Sequence, residues 1–296
     1  MRAPRIRALG LCTGWGRGAA AIPADAAAAA AGRRLIGLGR AQDADPRLAD
    51  ARFRRATREC LWALAAVEAM LEDGRAGREA IAGDRTALVF VTAASYGVSN
   101  RAFIEGGGSG MHFAYTAPAV VPAEVAIEFG VSGPSLILIG GPPATLRAIW
   151  HAATLMEQGA CDRALVLVVE TFEECKFLYE QAWPHARRPL VDAAGCLWLE
   201  PGAGRLDLTS APGRARDGAR LKRRLGEMFA CEPLAALGLD RLAGTPGPLT
   251  LSGRWRDDAA ALCWEAETAV SGGERPPLLP HAPPPDLERG NTRARG

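Results

Sequence analysis

Two runs of residues, TALVFVT at 86–92 and ALVLVVE at 164–170, restrict the fold more than any other feature of the sequence. Each is almost unbroken in its apolar character and rich in valine. A strand wetted on one face alternates apolar and polar residues, whereas a run without alternation belongs to a strand covered on both faces. Between the two lie a helical pattern at 119–129, the apolar run LILI at 136–139, and a second helical pattern at 144–158 that ends at Gly159. Strands alternating with helices predict an α/β protein with a mostly parallel sheet.

The flanking sequence extends this pattern. Residues 5–11 predict an opening strand followed by glycine-rich turns, and the alanine-rich stretch 19–31 shows no packing period. Cys60, Leu64, Val67 and Leu71 recur at helical spacing within 54–73, with Gly74 as a stop. GCLWLE at 195–200 predicts another strand, and the character changes after Pro201. An arginine-rich stretch is followed by a helical pattern at 232–244 and two strands within 249–266 joined around Asp257 and Asp258. The expected organisation is a principal domain over 1–205, a reduced segment over 206–270 (short helices and a β-hairpin) packing on it, and a disordered tail rich in proline and arginine over 271–296.

With 296 residues, 48% of them hydrophobic, the chain can bury one large core or two modest ones. A formal charge of +2 gives no electrostatic argument for nucleic acid. The seven cysteines are odd in number and widely spaced, which predicts reduced, buried thiols and no metal site. Glycines at 10, 14, 16 and 18 interrupt the apolar start before it reaches the length of a signal-peptide core, and no stretch approaches a membrane span. A cytoplasmic protein is expected.

Residues 133–149, GPSLILIGGPPATLRAI, carry the functional argument. The Gly133-Pro134-Ser135 turn, the apolar strand at 136–139, a sharp strand-to-helix turn and Ala148-Ile149 resemble the nucleophile segment of the β-ketoacyl synthases. YTAPAVVPAEVAIEFG at 115–130 is similar to the stretch that precedes it there, above all in short synthase-like subunits. RRPLVDAAGCLWLEPG at 187–202 resembles the family's Arg-Pro-Phe-Asp segment and the strand that follows it. The resemblance implies a thiolase-like α/β fold of layered α-β-α type, with the N-terminal half retained and the C-terminal half truncated.

It also places Pro142 where an active synthase has its acyl-accepting cysteine. A helix N-terminus stabilises a thiolate there, and proline offers no thiol. None of the four histidines, His112, His151, His185 and His281, lies in the context of the two histidines that active synthases use. The resemblance therefore implies a non-catalytic subunit, like a chain length factor, with no catalytic residues and no cofactor. Such a pseudoenzyme would form a heterodimer with an active ketosynthase and shape its acyl tunnel in polyketide, polyene or fatty-acid-like biosynthesis. The chain length factors of aromatic polyketide synthesis carry glutamine at the cysteine position, and this chain departs from them there. Because family dimers join their central sheets, the resemblance assigns Phe113, Tyr115, Thr116, Pro118, Val120, Leu136 and Leu138 to the partner interface and tunnel wall. Arg214, Arg216, Arg220, Lys222, Arg223 and Arg224 are candidates for docking an acidic acyl carrier protein through the complex.

A rival class is a stand-alone thiolase-fold acyltransferase or decarboxylase using another nucleophile. Cys175 is the least remote choice, although Glu173 and Glu174 beside it would oppose a thiolate. His151 falls mid-helix and reads as filler. GGGSG at 106–110 lacks the Lys-Ser/Thr of a phosphate loop, and GLCTGWGRG lacks the glycine spacing of a dinucleotide fingerprint.

Overall fold

The computed structural model describes residues 1–54, 56–94, 96–106, 116–182, 188–210, 221, 223–244 and 247–265. Its strands are β1 (Arg2–Thr13), β2 (Gly16–Arg17), β3 (Leu35–Ile36), β4 (Thr86–Thr92), β5 (Ser135–Ile139), β6 (Arg163–Glu170), β7 (Leu190–Val191), β8 (Ala193–Thr209), β9 (Leu249–Trp255) and β10 (Asp258–Glu265). The helices are α1 (Ala26–Ala30), α2 (Ala41–Ala44), α3 (Arg58–Gly74), α4 (Gly97–Glu105), α5 (Val120–Phe129), α6 (Pro142–Glu157), α7 (Phe172–Ala182) and α8 (Glu232–Ala243).

One sheet organises the chain, in the order β2-β1-β8-β6-β4-β5. Strands β5 and β6 flank β4 in parallel, as the alternation of strands and helices requires. The sheet as a whole is mixed and not mostly parallel, because β8 runs antiparallel to both β6 and β1. Side chains of β4 and β6 alternate between two cores, which explains why both runs are apolar throughout. Ala87, Val89, Val91, Val166 and Val168 meet α6 and α8 on one face. Leu88, Phe90, Leu165 and Leu167 meet α3 and α5 on the other.

Strand β8 continues through Pro201 and Gly202 to Thr209, so position 205 lies inside a strand and not at a boundary. Its outer half pairs with β10, and β10 pairs with β9. Leu251 of β9 and Ala260, Leu262 and Trp264 of β10 enter the same core as α6. This hairpin thus extends the same sheet through β8 and packs against α6. Residues 271–296 lie outside the described residues.

Candidate functional site

The turn from β5 into α6 is built for close approach. Gly140 has φ 156°, and Gly141 occupies the N-cap without a side-chain cap. Pro142 and Pro143 fill the first two helical positions, where the fixed φ of proline suits the helix. The helix therefore begins two residues before the apolar pattern does. Neither proline carries an N–H, and the amide of Ala144 donates to the Gly141 carbonyl at 2.9 Å. The first turn thus offers little with which to hold a thiolate or an oxyanion.

Pro142 is also enclosed. A Cβ built on Gly253 of β9 would stand 2.5 Å from the Cβ of Pro142, and one built on Gly141 would stand 2.5 Å from the Trp255 ring. Trp255 is itself braced edge-to-face by Phe229, with ring centroids 5.4 Å apart. Arg147 of α6 and Asp258 of β10 form a two-pronged ion pair with contacts of 2.5 and 2.6 Å. The Arg147 hydrogen bonds hold the Asp258 carboxyl below its ordinary range. Outside Trp255, an open cleft of about 540 Å³ runs between Ile139, Phe177 and Arg147.

Cys175 lies on α7, fully buried, and its Sγ donates to Glu170 Oε2 at 3.0 Å. Burial, and after it the Glu170 charge, raise this thiol well above the ordinary cysteine value. The carboxylate that faces it is Glu170 of β6, whereas Glu174 bonds Val98 and Ser99 at the start of α4. Burial pushes Glu170 up to about 8 against the hydrogen bonds from Cys175 and the Ala93 amide. Cys175 has neither the exposure nor the electropositive surroundings of a reactive thiol.

At the far end of the sheet β5 is an open edge, pairing with β4 alone among the described strands. Leu136 and Ile139 are 38% and 60% exposed, Leu138 is half-buried against the α6 core, and Ile127 of α5 is 79% exposed. An uncharged apolar edge of this kind is a template for pairing with another chain.

The Beta-ketoacyl synthase, N-terminal domain model matches residues 14–180, more than half of the chain. The chain belongs to the β-ketoacyl synthase family. No curated protein sequence matches it. Among solved structures it resembles a chain of the complex described as a type II polyketide synthase acyl-carrier protein with its ketosynthase bound to the hexaketide, at 16% identity and TM-score 0.67 over 90% of this chain and 100% of that one. It also resembles the ishigamide ketosynthase/chain length factor, at 16% identity and TM-score 0.65 over 88% and 98%. A β-ketoacyl synthase from Burkholderia phymatum follows at 13% identity and TM-score 0.63, over 90% and 100%. The fold is thiolase-like.

On this synthase scaffold, Thr116, Pro118 and Val120 lead into α5, while Leu136 and Leu138 lie on the β5 edge. Phe113 and Tyr115 lie outside the described residues, as do Arg214, Arg216, Arg220 and Lys222. Arg223 is exposed, and Arg224 Nε donates to the Pro23 carbonyl at 3.4 Å. His151 stands edge-on to Trp150 on α6. Among the described residues no group of His, Cys, Asp and Glu could hold a metal ion, and no helix is long and apolar enough to cross a membrane. Sequence reasoning missed β9 as the cover over Pro142; the small residues of the Ser252-Gly253 pair were its only local trace.

Proposed function

We propose that this member of the family is a non-catalytic subunit, like a chain length factor, that pairs with an active ketosynthase and shapes its acyl tunnel. The enclosure of Pro142 carries the reading. At the position assigned to the nucleophile, the side chain cannot attack, the first two helical residues lack N–H donors, and β9 packs directly against Pro142. The apolar β5 edge supports pairing, since antiparallel addition of a partner strand would satisfy its free N–H and C=O groups. The likeness to a ketosynthase/chain length factor structure supports the same pairing.

In this reading Leu136, Leu138 and Ile139 meet the ketosynthase, and Thr116, Pro118 and Val120 contribute to the tunnel wall. The carrier protein reaches the complex through the ketosynthase, with Arg223 available on this subunit. The product is a polyketide, polyene or fatty-acid-like chain. Co-expression with a ketosynthase, followed by size-exclusion chromatography, tests the pairing. A stable one-to-one complex is expected, and two species eluting independently at micromolar concentration would overturn it.

A further inference from the structure

Helix α4 has no buried residue of its own and no acidic residue in its first turn. Its N-cap position is held by Tyr96, at φ 56°, whose side chain makes no cap bond. The Tyr96 hydroxyl lies 3.1 Å from Thr57 Oγ1 instead. The cap comes from another helix. Glu174, in the first turn of α7, accepts the Val98 amide on Oε2 at 3.2 Å and the Ser99 amide on Oε1 at 3.2 Å. The Ser99 hydroxyl donates to the same Oε1. These are the second and third amides of α4, the donors that an N-cap side chain ordinarily satisfies.

The connection continues toward the segment before α5. Asn100, the next residue of α4, donates Nδ2 to the Thr116 carbonyl at 2.7 Å. On the other side, α7 is fixed at its start by Asp192, which accepts the Phe172 amide, the Leu38 amide at 3.2 Å and Arg58 Nη2 at 3.1 Å. Thr171 donates to Glu59 of α3. Glu174 is 5% exposed, so its carboxylate is spent on these contacts rather than on water.

We propose that Glu174 is a positioning residue: by capping α4 across the α7 contact, it sets the place of Thr116–Val120 in the tunnel wall. The inference rests on the proposed pairing with a ketosynthase. Removing the carboxylate frees two amides and a hydroxyl at the start of a helix with little packing to hold it. The β5 edge lies on separate elements, so the partner still binds while the wall moves.

The test uses the complex with the ketosynthase and three variants, Glu174→Ala, Glu174→Gln and Glu174→Ala combined with Gly97→Asp. Gly97 opens α4, is exposed, and has nothing within 4 Å of a built Cβ, so an aspartate there supplies a first-turn anion from α4 itself. Hydrogen exchange at Val98 and Ser99 should quicken roughly five- to tenfold in Glu174→Ala, the factor for loss of an N-cap. Product chain length should spread or shift while association is unchanged. Glu174→Gln, which keeps one acceptor oxygen and the packing, should fall between, and Gly97→Asp should restore part of both effects. A complex that forms normally and gives the same product lengths with Glu174→Ala overturns the positioning role. Absence of any complex with the unaltered chain overturns the pairing, and this inference with it.

Discussion

Gly253 lies so close to Pro142 that a methyl group on the glycine would stand 2.5 Å from the proline Cβ. Strand β9, near the end of the described residues, therefore packs directly on the first residue of α6. A proline at this position and its contact with β9 are separate features, and each has its own consequence.

Pro142→Cys should leave a shielded thiol. Labelled with iodoacetamide and read by peptide mass spectrometry, it should react no faster than the buried Cys60 and Cys196, and more slowly than the half-buried Cys263. Trp255→Ala in the same chain should speed the labelling. Reaction at position 142 as fast as at Cys263 would show that β9 is no barrier.

Gly253→Ala should destabilise the protein by about 1–3 kcal/mol, the usual cost of an added carbon in a filled core. The clash is with the ring and backbone of Pro142 rather than with a flexible side chain. Denaturant unfolding measures it, and a midpoint equal to that of the unaltered chain would mean that the contact can relax.

Glu170 makes stability depend on pH. Its pKa is raised in the fold to about 8, so its contribution is fully present below the ordinary carboxylate range and is lost as pH rises through about 8. Unfolding free energy should fall between pH 5 and 8 with a slope of at most about 1.4 kcal/mol per pH unit from this group. Glu170→Gln should flatten that slope. A slope unchanged by the substitution would assign the dependence to other groups, such as Asp192 and Glu174, which burial also raises.

Leu136→Lys and Ile139→Asp place charges on the open edge without removing a buried contact, since both residues are exposed. Each should leave the melting temperature of the isolated chain nearly unchanged and weaken association with the ketosynthase at least tenfold, as expected for a charge placed in an apolar interface. Unaltered affinity, read by calorimetry, would move the interface elsewhere.

The elements whose pattern is local were legible in the sequence. The runs at 86–92 and 164–170 are strands because both their faces are covered, and the glycine stop after 54–73 falls where α3 ends. The opening strand is longer than its apolar run at 5–11, because Arg2 and Pro4 before that run give no strand signal, yet β1 pairs with β8 from Arg2 to Thr13. Pro201 and Gly202 likewise concealed the continuation of β8, which is held by two neighbours and not by its own propensity. Strand direction was not legible either, and the mixed sheet follows from how β8 returns. At the site, the residue types around Pro142 could be read from the turn and helix signals. Its cover by β9 and the capping of α4 by Glu174 join residues 111 and 75 positions apart respectively, counting from Pro142 to Gly253 and from Ser99 to Glu174, and no short-range pattern encodes such contacts.

An elongation assay with malonyl carrier protein, comparing this chain alone, the ketosynthase alone and the two together, decides whether this subunit is catalytic. No condensation by this chain alone is expected, and products of defined length only when both subunits are present. Robust condensation by this chain alone would contradict the non-catalytic role.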